Sequence, residues 1–252
     1  MRSFITCLWL CAVALCPGQA VAQAAATQTD DASVRFVLRS IGRDLLKFPS
    51  SDTVVALAVG GGVAIAGHPS DASLVRRAAG SADLGSFLRV GAAAGSGWVQ
   101  VGGALGTWAV GAVAHSRKVQ RLGADLVRAQ ALNLIVTDGL KAVVRRRRPA
   151  GGPFSFPSGH TSATIATAAV LQRHVGLAAS VPVFALAGYV AASRVQGRHH
   201  YPSDVLFGAA IGLASGRTVT LGRGRHRVVV LPSLTPDAFM LILVPRRGTG
   251  RG

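Results

Sequence analysis

Residues 145–163 read RRRRPAGGPFSFPSGHTSA: four arginines, a proline- and glycine-rich passage, then a lone histidine opening an apolar run. The stretch is either a basic surface loop or one wall of a site. Residues 122–140 before it and 161–172 after it are apolar runs, which makes the stretch a connection between two helices. Pro149 stops the first helix, because proline lacks the N–H and clashes with the preceding turn. Ser158 stands where the N-cap of the second helix belongs.

The same alternation extends outward. Apolar runs occupy 53–67, 90–114, 122–140, 161–172, 175–192 and 205–215, separated by His68-Pro69-Ser70-Asp71, Ser116-Arg117-Lys118, Pro149 to Pro157 and Gly197 to Pro202. The expected fold is all-α, an antiparallel bundle of about six hydrophobic helices joined by short connections. Only 90–114 clearly has the length of a membrane span without charges. The run at 122–140 carries Asp125, Arg128 and Asp138, so part of it must face a bundle interior or water.

The ends differ from the middle. Residues 1–24 read as a secretory leader or retained anchor: Arg2, the apolar core FITCLWLCAVALC, Pro17-Gly18, then an A-x-A site. Residues 25–52 are a linker with a short amphipathic helix at 33–47, its apolar side Val34, Phe36, Val37, Ile41, Leu45 and Leu46. The bundle occupies 53–221. Residues 222–252 form a basic tail, in which 226–245 reads as a hairpin or extended segment.

Composition bounds the partners. Half of the 252 residues are hydrophobic and 15% are charged, too apolar for a disordered chain and suited to membrane association. Lys and Arg number 27 against 10 acids, a net charge of +17, which favours anionic partners such as phosphorylated substrates or lipid headgroups. With 3 Trp and 2 Tyr there is no aromatic–basic interleaving, so nucleic acid is not expected. Cys7, Cys11 and Cys16 all lie in the leader, leaving no disulfide framework or cysteine metal site for the body. His199-His200 lacks an accompanying ligand cluster, so no metal is expected. Oligomeric state is not legible.

An antiparallel bundle gathers distant residues at one end. The third helix ends in Lys141 and Arg148. The fourth begins with Ser158, Gly159 and His160. The fifth ends in Ser193 and Arg194, and the sixth begins with His200 and Asp204. Lys141 and Arg148 share a face if the third helix runs that far. A helix start offers free N–H groups to a phosphate, Gly159 lets the backbone come close, and Arg194 supplies a planar fork. Asp204, four residues from His200, can hold that imidazole in one tautomer as a nucleophile or base. His160 is a second imidazole, available as an acid. Arg145, Arg146 and Arg147 read as a solvated basic flank.

These residues carry a resemblance. The pattern K-x6-R-P (Lys141, Arg148-Pro149), P-S-G-H (Pro157-Ser158-Gly159-His160) and S-R-x5-H-x3-D (Ser193-Arg194, His200, Asp204) resembles the signature of the type 2 phosphatidic acid phosphatase (PAP2) superfamily, which includes bacterial class A acid phosphatases and vanadium haloperoxidases. The resemblance implies that His200 is a nucleophile forming a phosphohistidine, that Asp204 orients it, and that His160 protonates the leaving oxygen. It implies that Lys141, Arg148, Ser158, Gly159 and Arg194 hold the phosphoryl oxygens without a metal or other cofactor. The chain is short for the haloperoxidase branch, where vanadate replaces phosphate. The hydrophobic helices point to a lipid phosphate or pyrophosphate substrate, with a soluble acid phosphatase as the rival. A non-catalytic, membrane-anchored anion binder is the alternative of a different class. Export is expected, to the inner membrane or periplasm, with the site on the extracytoplasmic side.

Overall fold

Apolar runs punctuated by Ser, Pro and Gly become helices, and Ser33, Ser50 and Ser96 cap three of them. The computed structural model describes residues 32–80 and 82–220 together with two strands at 226–235 and 238–247. The leader expected at 1–24 and the first linker residues, 25–31, lie outside the described residues. The helices are α1 (Val34–Lys47), α2 (Ser51–Gly67), α3 (Asp71–Ala79), α4 (Ala82–Ala94), α5 (Gly97–Val113), α6 (Arg117–Val144), α7 (Gly159–Val175), α8 (Leu177–Gln196) and α9 (Pro202–Val219). A 3-10 turn, His68–Ser70, joins α2 to α3. Strands β1 (His226–Thr235) and β2 (Ala238–Arg247) pair antiparallel, with Thr235 opposite Ala238. The chain is thus all-α through its bundle.

One expected span is broken. The run 90–114 is divided between α4 and α5 at Gly95-Ser96, where Ser96 caps α5 by accepting from the Val99 N–H. The break is also a point of close packing. A Cβ on Gly95 would stand 3.3 Å from His160 Cβ and 3.2 Å from Val190 Cγ2, so the chain passes here against both α7 and α8. Among the described residues, the stretches long and apolar enough to cross a membrane are Ser51–Ala79 and Leu177–Gln196 instead.

The centre of the bundle is α7, lying between α6, α8 and α9. Its contact with α9 is made by backbone. A Cβ on Gly208 would lie 2.7 Å from Ser158 O, one on Gly212 would run into Ser162 O, and one on Gly216 would lie 2.9 Å from Ala166 O. Glycine every fourth residue gives α9 a groove on one face, and small residues on α7, Ala166 and Ala169 among them, fill it. The apolar core formed by Ala104, Leu126, Ala129, Leu132, Val170 and Val219 ties α5, α6, α7 and α9 together.

The charges of α6 are accommodated as burial requires. Arg128 forms a two-bond pair with Asp44 of α1 (2.8 and 2.7 Å) and a third bond to Asp125 (2.9 Å). His174 of α7 meets the other oxygen of Asp125 at 2.9 Å. Buried charges persist only when paired and hydrogen-bonded, and this set pins α1 across the start of α6. Asp138 faces outward and meets Lys141 at 3.3 Å. Helix α2 begins beside the end of α9, where Thr53 bonds to Thr218, and the chain that follows it reaches the start of α9, where Asp71, first residue of α3, accepts from the Ser203 N–H. Two ends are thereby defined: α1 at one, and the residues singled out from sequence at the other.

The α7–α9 contact makes a direct test. Gly212→Ala forces a methyl group into Ser162 O and is expected to destabilise by about 1–3 kcal/mol, seen as a lower thermal unfolding temperature in detergent. Gly62→Ala, where a Cβ meets nothing within 4 Å, should leave the temperature unchanged or slightly raised. Equal behaviour of the two variants would contradict the close backbone approach.

Candidate active site

The site is built on the ends of four helices and one loop. Helix α6 stops at Val144, not at Pro149, because Arg145 adopts the left-handed conformation (φ 48°) and its N–H returns to Lys141 O at 3.0 Å. Arg148 therefore does not share a helical face with Lys141, contrary to the two-turn expectation. A tight turn presents it instead: the Arg148 N–H donates to Gly152 O and the Gly151 N–H to Arg148 O, with Gly151 and Gly152 at positive φ. The Ala150 N–H donates to Arg198 O at 3.0 Å, tying this turn to the α8–α9 connection. Lys141 remains in the last turn of α6, and a Cβ on Gly159 would come within 3.0 Å of its Nζ.

Ser158 occupies the N-cap of α7, but its hydroxyl caps no backbone N–H and pairs with Thr161 Oγ1 at 3.1 Å. Its own N–H donates to Asp204 O at 3.0 Å, joining the start of α7 to that of α9. The positive end of the α7 dipole thus opens toward the basic residues. Burial first, then Arg194, Lys141, His199 and Arg148, push the His160 pKa down to about 4. Arg148 and Arg194 repel one another, and each buries an Nε that meets no acceptor. Two guanidiniums this close, with donors left over, describe a place for an anion.

His200 is 3% exposed. Its Nδ1 lies 2.5 Å from the Ser155 carbonyl oxygen and 3.9 Å from Asp204 Oδ2. A carbonyl only accepts, so Nδ1 carries the proton and Nε2 keeps its lone pair. The tautomer is set by a backbone carbonyl, while Asp204 stands one group further away. Burial first, then the Arg194, Arg148 and Lys141 charges, push the imidazole pKa down to about 3, against the opposing effect of the Ser155 bond. His200 is accordingly a neutral base across the physiological range.

Ser155, Arg146, Asp71 and Ser203 join this network without having been singled out from sequence. Ser155 gives its carbonyl to His200 and its hydroxyl to Asp204 Oδ2 at 2.5 Å. Arg146, read as a solvated flank, is half-buried: Nη1 donates to Asp204 Oδ1 (2.6 Å) and Ser203 Oγ (2.8 Å), and Nη2 to Asp71 Oδ2 (2.8 Å). Its guanidinium lies 4.2 Å over the Tyr201 ring. The available signal was the scarcity of acids: with 10 against 27 cations, each buried acid marks which cation is spoken for. Arg145 and Arg147 are exposed, as a basic flank would be.

A family model described as the PAP2 superfamily matches residues 123–227. Decaprenylphosphoryl-5-phosphoribose phosphatase of Mycobacterium tuberculosis is 35% identical over a region covering 47% of this chain and 71% of that protein. Lipid A 1-phosphatase of Porphyromonas gingivalis is 39% identical over 28% of this chain and 17% of that one. Among solved structures, the transmembrane PAP2 type phosphatidylglycerolphosphate phosphatase from Bacillus subtilis shares the fold, with TM-score 0.58 and 21% identity over 67% of this chain and 94% of that chain. LpxE from Aquifex aeolicus gives TM-score 0.51 and 25% identity over 60% of this chain and 94% of that chain.

The electrostatics of His200 are measurable without turnover. Nitrogen NMR of the imidazole should show the Nδ1–H tautomer at neutral pH and no protonation until the pH falls toward about 3. Arg194→Ala removes a charge that disfavours the imidazolium, so its midpoint should move upward. A wild-type midpoint at or above the ordinary histidine value would contradict the site described.

Proposed function

Because the chain belongs to the PAP2 superfamily, we propose that this phosphatase hydrolyses a lipid phosphate or pyrophosphate through a phosphohistidine on His200, without a metal. The observation that carries the reading is the pair of unpartnered buried donors on Arg148 and Arg194, set beside a neutral histidine whose Nε2 is free to attack. The lipid relatives, decaprenyl-linked, lipid A and phosphatidylglycerol among them, favour a lipid over a small soluble ester. The two long apolar stretches favour a membrane protein. We assign the mouth to the extracytoplasmic side, which leaves α1 and its exposed Arg35, Arg39, Arg43 and Lys47 on the cytoplasmic face.

The chemistry follows from the groups present. Lys141, Arg148, Arg194 and the start of α7 with Ser158 and Gly159 neutralise the phosphoryl oxygens and hold phosphorus in line with His200 Nε2. The Nε2–P bond forms as the bond from phosphorus to the leaving oxygen breaks, and His160 gives that oxygen a proton. The bound dianion supplies the negative charge that keeps a proton on His160 among its cationic neighbours. Neutral His160 then takes a proton from water, whose oxygen attacks phosphorus. The N–P bond breaks and inorganic phosphate leaves.

The reading is tested with purified protein in detergent and a panel of a decaprenyl-linked sugar phosphate, a polyprenyl pyrophosphate, phosphatidic acid, phosphatidylglycerol phosphate and a soluble phosphomonoester. Release should be confined to one or more lipids and persist in chelator. His200→Ala should abolish release while inorganic phosphate still binds, and His160→Ala should cost about 100- to 10,000-fold in kcat. Activity on the soluble ester alone would sink the lipid assignment, and no release from any compound would sink the enzyme reading.

A further inference from the structure

Arg146 and Asp71 lie outside the resemblance's set of site residues, yet they join that set. Three residues form a closed ring: the Ser155 N–H donates to Arg146 O at 2.8 Å, the Ser155 hydroxyl to Asp204 Oδ2 at 2.5 Å, and Arg146 Nη1 to Asp204 Oδ1 at 2.6 Å. The ring takes both oxygens of Asp204 and sets the backbone of Ser155, the residue whose carbonyl holds His200. Asp71 fixes the ring from outside. It is 3% exposed, accepts from Arg146 Nη2 at 2.8 Å, and receives the Ser203 N–H (3.0 Å) and hydroxyl (2.5 Å) at the start of α9.

We propose that Arg146, locked by Asp71 of α3, is a positioning residue for the reaction: it holds Asp204 and Ser155 so that His200 presents Nε2 to the phosphorus. The inference rests on the reading of His200 as nucleophile. Its physical content is twofold. Geometrically, the imidazole hangs from one carbonyl whose place depends on the ring, and misplacement by about 1 Å can cost on the order of 100-fold in rate. Electrostatically, Arg146 occupies the Asp204 carboxylate, which otherwise faces His200 Nδ1 from 3.9 Å. The other charges facing His200 are Lys141 from α6, Arg148 from the loop and Arg194 from α8, all positive. With Arg146 removed, the unneutralised carboxylate favours the imidazolium and raises the His200 midpoint, while the loss of rate comes from the misplaced imidazole.

The test compares wild type with Arg146→Gln, Arg146→Lys and Asp71→Asn, using the substrate that wild type hydrolyses best. Arg146→Gln should lower kcat roughly 100-fold with KM and inorganic phosphate affinity changed by less than about threefold, since it touches no phosphoryl oxygen. The acid limb of its kcat/KM profile, and the His200 midpoint read by nitrogen NMR in the unliganded protein, should both move up by about one pH unit or more. Lysine restores the charge without the double reach, so Arg146→Lys should return the midpoint toward wild type while kcat stays low. Asp71→Asn, which keeps the shape, should lower kcat by about tenfold at unchanged KM, and adding it to Arg146→Gln should cost no more than Arg146→Gln alone. Unchanged kcat and unchanged His200 titration in Arg146→Gln overturn the proposal, as does a fall in kcat with no movement of the titration. Should Arg146→Gln fail to fold, Arg146→Lys and Asp71→Asn decide by the same split: full kcat in both overturns it. The NMR arm needs no turnover, so an upward shift in a protein inactive on every phosphoester upholds the Arg146–His200 link while the phosphatase mechanism falls.

Discussion

Helix α9 lies so close on α7 that no Cβ fits at Gly208, Gly212 or Gly216, and the two walls of the site inherit that spacing. His160 rides at the start of α7, and His200 and Asp204 at the start of α9. The Ser158 N–H bonded to Asp204 O closes the contact at its upper end. Backbone in contact with backbone leaves no side chain to change rotamer, so the separation of the two histidines is set more rigidly than a leucine seam would set it.

A second order in the structure is the allocation of acids. Asp44, Asp71, Asp125 and Asp204 are all buried. Between them they hold Arg128 and Arg146, one near each end of the bundle. The far pair fastens α1, and the near pair fastens the loop that carries Ser155. Arg148 and Arg194 receive no carboxylate among the described residues. At the mouth, the cations left without one are those available to a ligand, a distinction that net charge alone does not make.

The bundle and the converging helix ends were legible because they rest on local facts: run length, helix-opening serines, and spacings such as four residues from His200 to Asp204. What was not legible depended on contacts far apart in sequence or on rare backbone states. The run 90–114 splits where Gly95 packs against His160 and Val190, neither of which is near it in sequence. Arg148 leaves the helix because Arg145 takes a left-handed conformation that arginine seldom adopts, and no residue type advertised it. Arg146 differs from Arg145 and Arg147 only through partners 58 and 75 positions away. The part of Asp204 was shortened by a carbonyl: Ser155 took the bond to His200 that side-chain chemistry alone would have given to the acid.

The bare Nε atoms of Arg148 and Arg194 have a thermodynamic consequence. Two guanidiniums that repel in the empty protein cease to do so around an oxyanion, so whatever anion fits there is bound by the folded chain and not by the unfolded one. By mass action a ligand at 100 times its Kd adds about 2.7 kcal/mol to folding. For a phosphatase that anion includes the product. The inorganic phosphate around the protein then sets both how firmly the bundle holds together and how often the pocket is open to the next lipid, and a single concentration couples durability to throughput in opposite senses.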